Sequence, residues 1–111
     1  MYLPKAMVDG VPITDTQTTY YTTPANTRSL IKKATFTNDD ASPVTISINV
    51  VRSGESVGYA NAITKTKTLA AGETWSCADI ENHIMEASGF ISMVASVTLK
   101  IGCRITGFEI T

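Results

Sequence analysis

This sequence of 111 residues contains little charge of either sign and no long apolar run. Asp, Glu, Lys and Arg make up 17% of the residues, and nine basic against ten acidic side chains leave a net charge of −1. Such a balance creates no field that attracts DNA, RNA or an anionic membrane, so we expect neither nucleic acid nor membrane as a partner. No segment approaches the roughly 20 apolar residues of a membrane helix, and residues 1–10 lack the pattern of a signal peptide. We therefore expect a protein made in the cytoplasm.

Residues that build catalytic and metal sites are also scarce. His83 is the only histidine, and Asp79 shares a face with it only if residues 79–86 are helical. A zinc site needs further ligands, and none has a recognised spacing. Asp39 and Asp40 lack the pattern that completes a calcium loop. Because nucleophile-elbow, dinucleotide and P-loop motifs are absent too, we predict no catalytic residue, no metal and no cofactor.

Cys77 and Cys103 are the only cysteines, too few for a disulfide scaffold. Each lies within an alternating segment, so we interpret both as small buried hydrophobic residues. The alternative is a bridge between them, which would contribute about 3 kcal/mol through the loop that it closes.

Alternation of apolar and non-apolar residues is the main positive signal. It is clearest over residues 96–106, where one side carries Val97, Leu99, Ile101, Cys103 and Ile105. A period of two predicts a half-buried strand. Residues 44–50 alternate in the same way, and together with residues 28–37 they predict a hairpin around a turn rich in Asn, Asp and Ser.

Shorter strands are predicted around this pair, and one segment is an exception. Residues 79–87 have helical spacing of Ile80, Ile84 and Met85, which predicts one or two helical turns. A count of about 7–8 short strands with at most one short helical turn predicts an all-β fold, an antiparallel β-sandwich that is jelly-roll-like. A closed barrel has the same local pattern and stays open as the alternative.

The first segment shows no period, because Pro4, Gly10 and Pro12 interrupt its apolar residues. We predict an extended N-terminal arm over residues 1–17, followed by a β-sandwich domain over residues 18–111. Apolar side chains in a loose arm have no core of their own to enter. The candidate subunit contacts are therefore Tyr2, Leu3, Val8, Val11 and Ile13.

Tyr59 lies in the glycine-containing loop predicted over residues 53–64 and is the aromatic residue that we expect to be exposed. An exposed aromatic ring with a polar tip can stack on a sugar. Tyr59 is therefore the candidate ligand contact of an alternative function, a carbohydrate- or receptor-binding β-sandwich module.

Five segments carry a resemblance to known proteins: YTTPANTRSLIKKATFTN (21–38), PVTISI (43–48), LAAGET (69–74), HIMEASG (83–89) and ITGFEIT (105–111). Over about residues 20–111 the chain resembles a group of small tailed-bacteriophage proteins encoded among virion structural genes. The resemblance implies a β-sandwich component of the virion, made in the host cytoplasm and placed on the head as a decoration, at the neck or collar, or on the tail. Its implied partners are other virion proteins and copies of itself.

These expectations combine into one prediction. The chain is a non-enzymatic structural component of a bacteriophage particle, a homo-oligomer that assembles through its N-terminal arm and its strand edges. Symmetric repetition would turn weak single contacts into avid ones.

Overall fold

The computed structural model describes residues 1–111 and is almost entirely β structure. The only helical segment is a three-residue 3-10 helix, Tyr59–Asn61, and no helix is long and apolar enough to cross a membrane. The strands are β1 (Tyr2–Pro12), β2 (Thr18–Thr22), β3 (Arg28–Asn38), β4 (Val44–Val51), β5 (Ala62–Leu69), β6 (Thr74–Ser76), β7 (Ile84–Met85), β8 (Phe90–Ala95) and β9 (Ile101–Ile110).

The strands form two antiparallel sheets. The β1 sheet has the order β1-β9-β3-β6, with β7 also paired to β3, and the β2 sheet has the order β2-β8-β4-β5. The first strand therefore pairs with the last, the second with the next to last, and so on inward along the chain. This is the winding of a jelly roll. The predicted all-β sandwich is confirmed, and the separate sheets rule out the closed barrel.

The core fills the space between the two sheets. It is built from the inward side of each strand, where alternate residues contribute mostly apolar side chains. Its largest fully buried members include Phe36, Ile46, Ile91, Ile101 and Ile105. Each such side chain contributes about 1.5–3 kcal/mol by leaving water. Trp75 on the edge strand β6 is partly buried against the core, and the centroid of its ring is 5.6 Å from that of Phe36.

The prediction of an N-terminal arm separate from the sandwich was wrong. Residues 2–12 form β1, which pairs with β9 along its whole length. The register shifts at Met7 and Gly10, where each bulge adds one residue and breaks the period of two. Pro4 is tolerated because β1 is an edge strand, whose outward positions need no N–H group. Val8 and Ile13 are buried in the core rather than free for a subunit contact.

The long strand predicted over residues 96–106 begins only at Ile101. Residues 96–100 form the turn between β8 and β9, and Leu99 has a φ of 60°, outside the extended region. Val97 and Leu99 consequently lie in solvent, 39% and 60% exposed. The alternation of apolar and non-apolar residues therefore continues through residues 96–100 in the sequence, although these residues do not form a strand.

The predicted hairpin of β3 and β4 was also wrong, because the two strands belong to different sheets. The side chain of Asn38 organises the crossing. Its Nδ2 donates to the carbonyl oxygens of Ser42, Leu69 and Ala70 at 3.0–3.2 Å, while its Oδ1 accepts from the N–H of Asp40 at 2.9 Å. One buried amide therefore ties the β3–β4 connection to the β5–β6 turn.

The helical turns predicted over residues 79–87 are absent. Residues 78–82 form tight turns, and β7 follows at residues 84–85. Ile80 and Met85 enter the core, whereas Ile84 is 60% exposed on the other side. The spacing of these residues reflects a turn followed by a two-residue strand rather than a helix.

The two ends of the chain lie side by side. The Met1 amino group donates to the Thr111 carbonyl oxygen at 2.6 Å, and the Thr111 N–H donates to the Met1 carbonyl oxygen at 3.0 Å. This pair continues the β1–β9 ladder to its last residue.

Two glycines of β9 provide a test of how closely β9 and β3 approach. A Cβ atom at Gly107 would overlap the Leu30 carbonyl oxygen, whereas one at Gly102 would meet nothing within 4 Å. We predict that Gly107→Ala lowers the free energy of unfolding by about 3 kcal/mol or more, because backbone must move. Gly102→Ala should leave it unchanged or raise it by up to about 1 kcal/mol. Urea denaturation measures both, and equal effects would contradict the close approach.

Candidate interaction surface

The polar residues considered for catalysis or metal binding do not converge. His83 and Asp79 are exposed on the connection before β7. No group of three or more His, Cys, Asp or Glu side chains lies close enough together to hold a metal ion.

Both cysteines are buried and free, which confirms their interpretation as small hydrophobic residues. Cys103 pairs with Phe36 on one side of β3, and the Cys77 N–H bonds the Ala34 carbonyl on the other side. Two strand spacings place their Cα atoms about 10 Å apart, beyond the reach of a disulfide. Burial, with a smaller contribution from Cys77, raises the pKa of the Cys103 thiol far above its ordinary value. The protonated thiol is a poor nucleophile.

The outer face of the β1 sheet carries a row of apolar side chains. Pairing in register places Pro4 beside Phe108, Phe108 beside Leu30, and Leu30 beside Ile84, so the row crosses four strands. The next row adds Tyr2 beside Ile110, and the Tyr2 ring meets that of Phe108 edge-on at 6.5 Å. We call these six residues the apolar patch: Tyr2, Pro4, Leu30, Ile84, Phe108 and Ile110.

The apolar patch is open to solvent. Tyr2 is 68% exposed and Ile84 is 60% exposed, at opposite ends of the two rows. A contiguous exposed apolar surface that several strands share is typical of an interaction site.

A groove lies next to the patch, where two bulges flank β9. Met7 is the extra residue of β1, level with Ile105 and Thr106, and Lys32 is the extra residue of β3, level with Thr106 and Gly107. Bulges bend their strands outward. The resulting groove has a volume of about 400 Å³, and we call it the lysine groove: Pro4, Lys5, Ala6, Lys32, Thr106, Gly107 and Phe108.

The outer face of the β2 sheet is different, because the chain covers part of it. The Asn49 side chain donates to Gly58 O and Asn61 Oδ1, which holds the loop before β5 over the sheet. Gln17 covers the neighbouring strand by donating to the hydroxyl of Ser92 at 2.8 Å. Asn49 and Ser92 are consequently buried although they point outward. Only the β1 sheet presents a broad apolar surface.

The residues predicted as subunit contacts divide into two groups. Val8 and Ile13 are in the core, while Tyr2, Leu3 and Val11 are 68%, 43% and 38% exposed. Of these, Tyr2 belongs to the apolar patch. The prediction missed the other five members, whose common face follows only from the pairing of distant strands: Pro4, Leu30, Ile84, Phe108 and Ile110.

Tyr59 is 91% exposed, as expected from the sequence. Its loop is held by Asn61, whose Oδ1 accepts from the Gly58 N–H at 3.1 Å and whose Nδ2 donates to the Ser56 carbonyl oxygen at 2.9 Å. Tyr59 borders a second groove of about 650 Å³, which extends to His83 and Ile84. An aromatic ring thus stands in solvent on a firmly bonded loop.

A polar cluster beneath the apolar patch joins the two sheets. The Tyr21 hydroxyl on β2 lies 2.6 Å from Glu109 Oε2 on β9, to which it donates, and 2.8 Å from Ser29 Oγ on β3. Burial, followed by the bond to Glu109, raises the pKa of Tyr21 to about 12. The cluster fixes β3 and β9 where their outer sides carry Leu30, Phe108 and Ile110.

Removing the Tyr21 hydroxyl should weaken the protein in a pH-dependent way. We predict that Tyr21→Phe lowers the free energy of unfolding by about 1–3 kcal/mol at pH 8, because buried partners lose their donor. The pKa of Tyr21 is about 12 in the folded protein against 10.0 ordinarily, so the neutral phenol stabilises the fold below pH 10. That contribution is lost as the pH rises from 10 to 12. The decline of stability over this interval should be smaller in Tyr21→Phe than in the wild type.

Tyr59→Phe is the matched control, since it removes a hydroxyl from an exposed ring. It should leave both the stability and its pH dependence unchanged. An equal alkaline decline in the wild type and Tyr21→Phe would contradict the role assigned to the cluster.

Searches against protein-family models, curated proteins and solved structures found no match to this chain.

Proposed function

We propose that this chain is a non-enzymatic structural subunit of a tailed-bacteriophage particle, held in place through the outer face of its β1 sheet. The observation that carries the proposal is the apolar patch. Exposure of such a surface to water is unfavourable unless a neighbouring molecule covers it. The phage origin is supported by the resemblance of residues 20–111 to small virion proteins. Jelly rolls are common in viral capsids, although the fold alone does not decide function.

The face is a better contact than the strand edges or the N-terminus expected from the sequence. The edge strand β1 contains Pro4, Pro12 and two bulges, β2 contains one bulge and β5 contains two. Prolines, bulges and the lysines of β5 all oppose the pairing of an edge with another chain. Burying the patch requires no change of the strands, so the subunit can dock as a rigid unit.

The test is whether the chain enters particles through this face. We predict that mass spectrometry of gradient-purified phage particles detects the wild-type chain at a fixed copy number, and that Tyr2→Ser/Ile84→Ser lowers its amount at least tenfold. Both side chains are mostly exposed, so the variant should fold normally. Val57→Ser is the control, since Val57 is 39% exposed on the β4–β5 loop, away from the patch. A chain absent from particles, or a double variant incorporated like the wild type, would contradict the proposal.

One observation favours a second candidate, a carbohydrate-binding module. Tyr59 is held in solvent by the Asn61 hydrogen bonds, beside a groove that also contains Arg52, Glu55 and His83. A fixed aromatic ring with polar neighbours is the arrangement that stacks on a sugar and bonds its hydroxyls.

For this candidate we predict glycan-array binding that Tyr59→Ala reduces at least tenfold and Tyr59→Phe retains, because the ring face makes the contact. Tyr2→Ser, on the other sheet, should bind like the wild type. Binding that survives Tyr59→Ala, or no binding to any glycan, would reject the module.

A further inference from the structure

Four connections meet at the end of the sandwich away from the chain termini. Leu99 N–H bonds the Ile13 carbonyl, Asp39 N–H bonds the Lys100 carbonyl, and Asn38 N–H bonds the Glu73 carbonyl, at 2.8–2.9 Å. These bonds, with the Asn38 side chain, make this end a single rigid surface. We call it the acidic end: residues 13–17, 39–43, 70–73 and 96–100.

The acidic end combines carboxylates with exposed apolar side chains. It carries Asp15, Asp39, Asp40 and Glu73 against one base, Lys100, and none of them takes part in a salt bridge. Val97 and Leu99 project from the same end, 39% and 60% exposed. Two exposed apolar side chains and four carboxylates without a salt bridge therefore share this end of the sandwich.

The outer face of the β1 sheet has the opposite charge. Two of its carboxylates form salt bridges, because Glu86 pairs with Arg28 at 2.9 Å and Asp9 pairs with Arg104 at 2.8 Å. Lys5, Lys32 and Lys33 form no salt bridge, and Lys5 and Lys32 line the lysine groove beside the apolar patch. Lys32 donates only to the neutral Asn82 Oδ1, at 3.3 Å, and the carboxylates of Asp40 and Glu73 accept only from the backbone N–H groups of Ala41 and Ala70. Lysines without a salt bridge next to apolar surface complement carboxylates without one next to apolar surface.

We propose that the acidic end of one copy docks on the lysine groove and apolar patch of the next copy. This inference rests on the proposed function and names the partner of the same face as a second copy. The contact joins two different surfaces, so each copy can bind a neighbour on both sides. Repetition of such a contact closes into a ring or continues as a filament.

Size sets the strength of this contact. The molecule measures 43 × 26 × 19 Å, so an end docked on a face covers at most roughly 500 Å² on each copy, the lower range of specific interfaces. A single contact should therefore be weak, and a closed ring would gain from its second contact per subunit. Because charges contribute, association should weaken as salt rises.

Two surface variants, each defective on one side, distinguish this arrangement from a symmetric one. The face variant is Lys5→Glu/Lys32→Glu. The end variant is Asp39→Lys/Leu99→Asn, in which Asn tolerates the φ of 60° at position 99. Lys65→Glu is the control, an exposed charge reversal on β5 outside both surfaces. Thermal unfolding checks that all of them fold.

Light scattering after size exclusion, at protein concentrations up to about 1 mM, gives the readout. We predict that the wild type and Lys65→Glu form oligomers, that each double variant alone is monomeric, and that an equimolar mixture of the two yields only heterodimers. In the mixture one intact face meets one intact end, after which no further copy can add.

Three results would overturn the end-to-face contact: a monomeric wild type, an end variant that still oligomerises, or a mixture that stays monomeric. An end variant that oligomerises while the face variant does not would indicate face-to-face packing of copies. None of these results changes whether the chain is found in particles. The particle experiment and this one therefore fail independently.

Discussion

The central position of β9 between β1 and β3 determines both the core and the outer surface of the β1 sheet. Its inward side chains fill the core, and its outward side chains include Phe108 and Ile110 of the apolar patch. Because successive residues of a strand point to opposite faces, a register shift that hid the patch would expose the core. The backbones are also in contact at Gly107, where a side chain has no room. The patch is therefore a fixed property of the fold.

The asymmetry between the two sheets bears directly on function. The chain covers the outer face of the β2 sheet with its own loop, using buried Asn49 and Ser92, and leaves the β1 sheet bare. Beneath the bare face, Tyr21 and Glu109 join the sheets through a short hydrogen bond. A stiff support under an apolar surface lowers the entropy lost on docking, because little has to be ordered. The geometry is that of a preformed contact.

The sequence was informative where a segment packs in a regular way. Alternation predicted the strands that hold Ile46, Ile48 and Ile105, and so the fold class, because one covered face forces a period of two. It failed where the backbone departs from that period. The bulges at Met7 and Gly10 interrupt the alternation of β1, so this strand was not predicted. Leu99 has a left-handed backbone conformation, so a turn was predicted as part of a strand. The predicted pairing of β3 with β4 was wrong as well, since these strands are consecutive in the chain but belong to different sheets.

The candidate surface was less accessible to prediction. Only Tyr2 of the apolar patch was predicted from the sequence to make subunit contacts, and for a different reason. The other members come from β1, β3, β7 and β9, and their alignment depends on which distant strands pair. Tyr59 could be found because a loop rich in glycine favours exposure of any large side chain within it.

The pairing of Met1 with Thr111 determines where labels and fusions can be attached to this protein without covering the apolar patch. Both termini emerge beside Tyr2 and Ile110, so an affinity tag or a fluorescent fusion at either end would hang over the apolar patch and could mask it. A label inserted after Ala41, in the exposed β3–β4 connection, would leave that face clear but would lie within the acidic end. A short peptide linker would also join Met1 to Thr111, so the chain is suited to circular permutation.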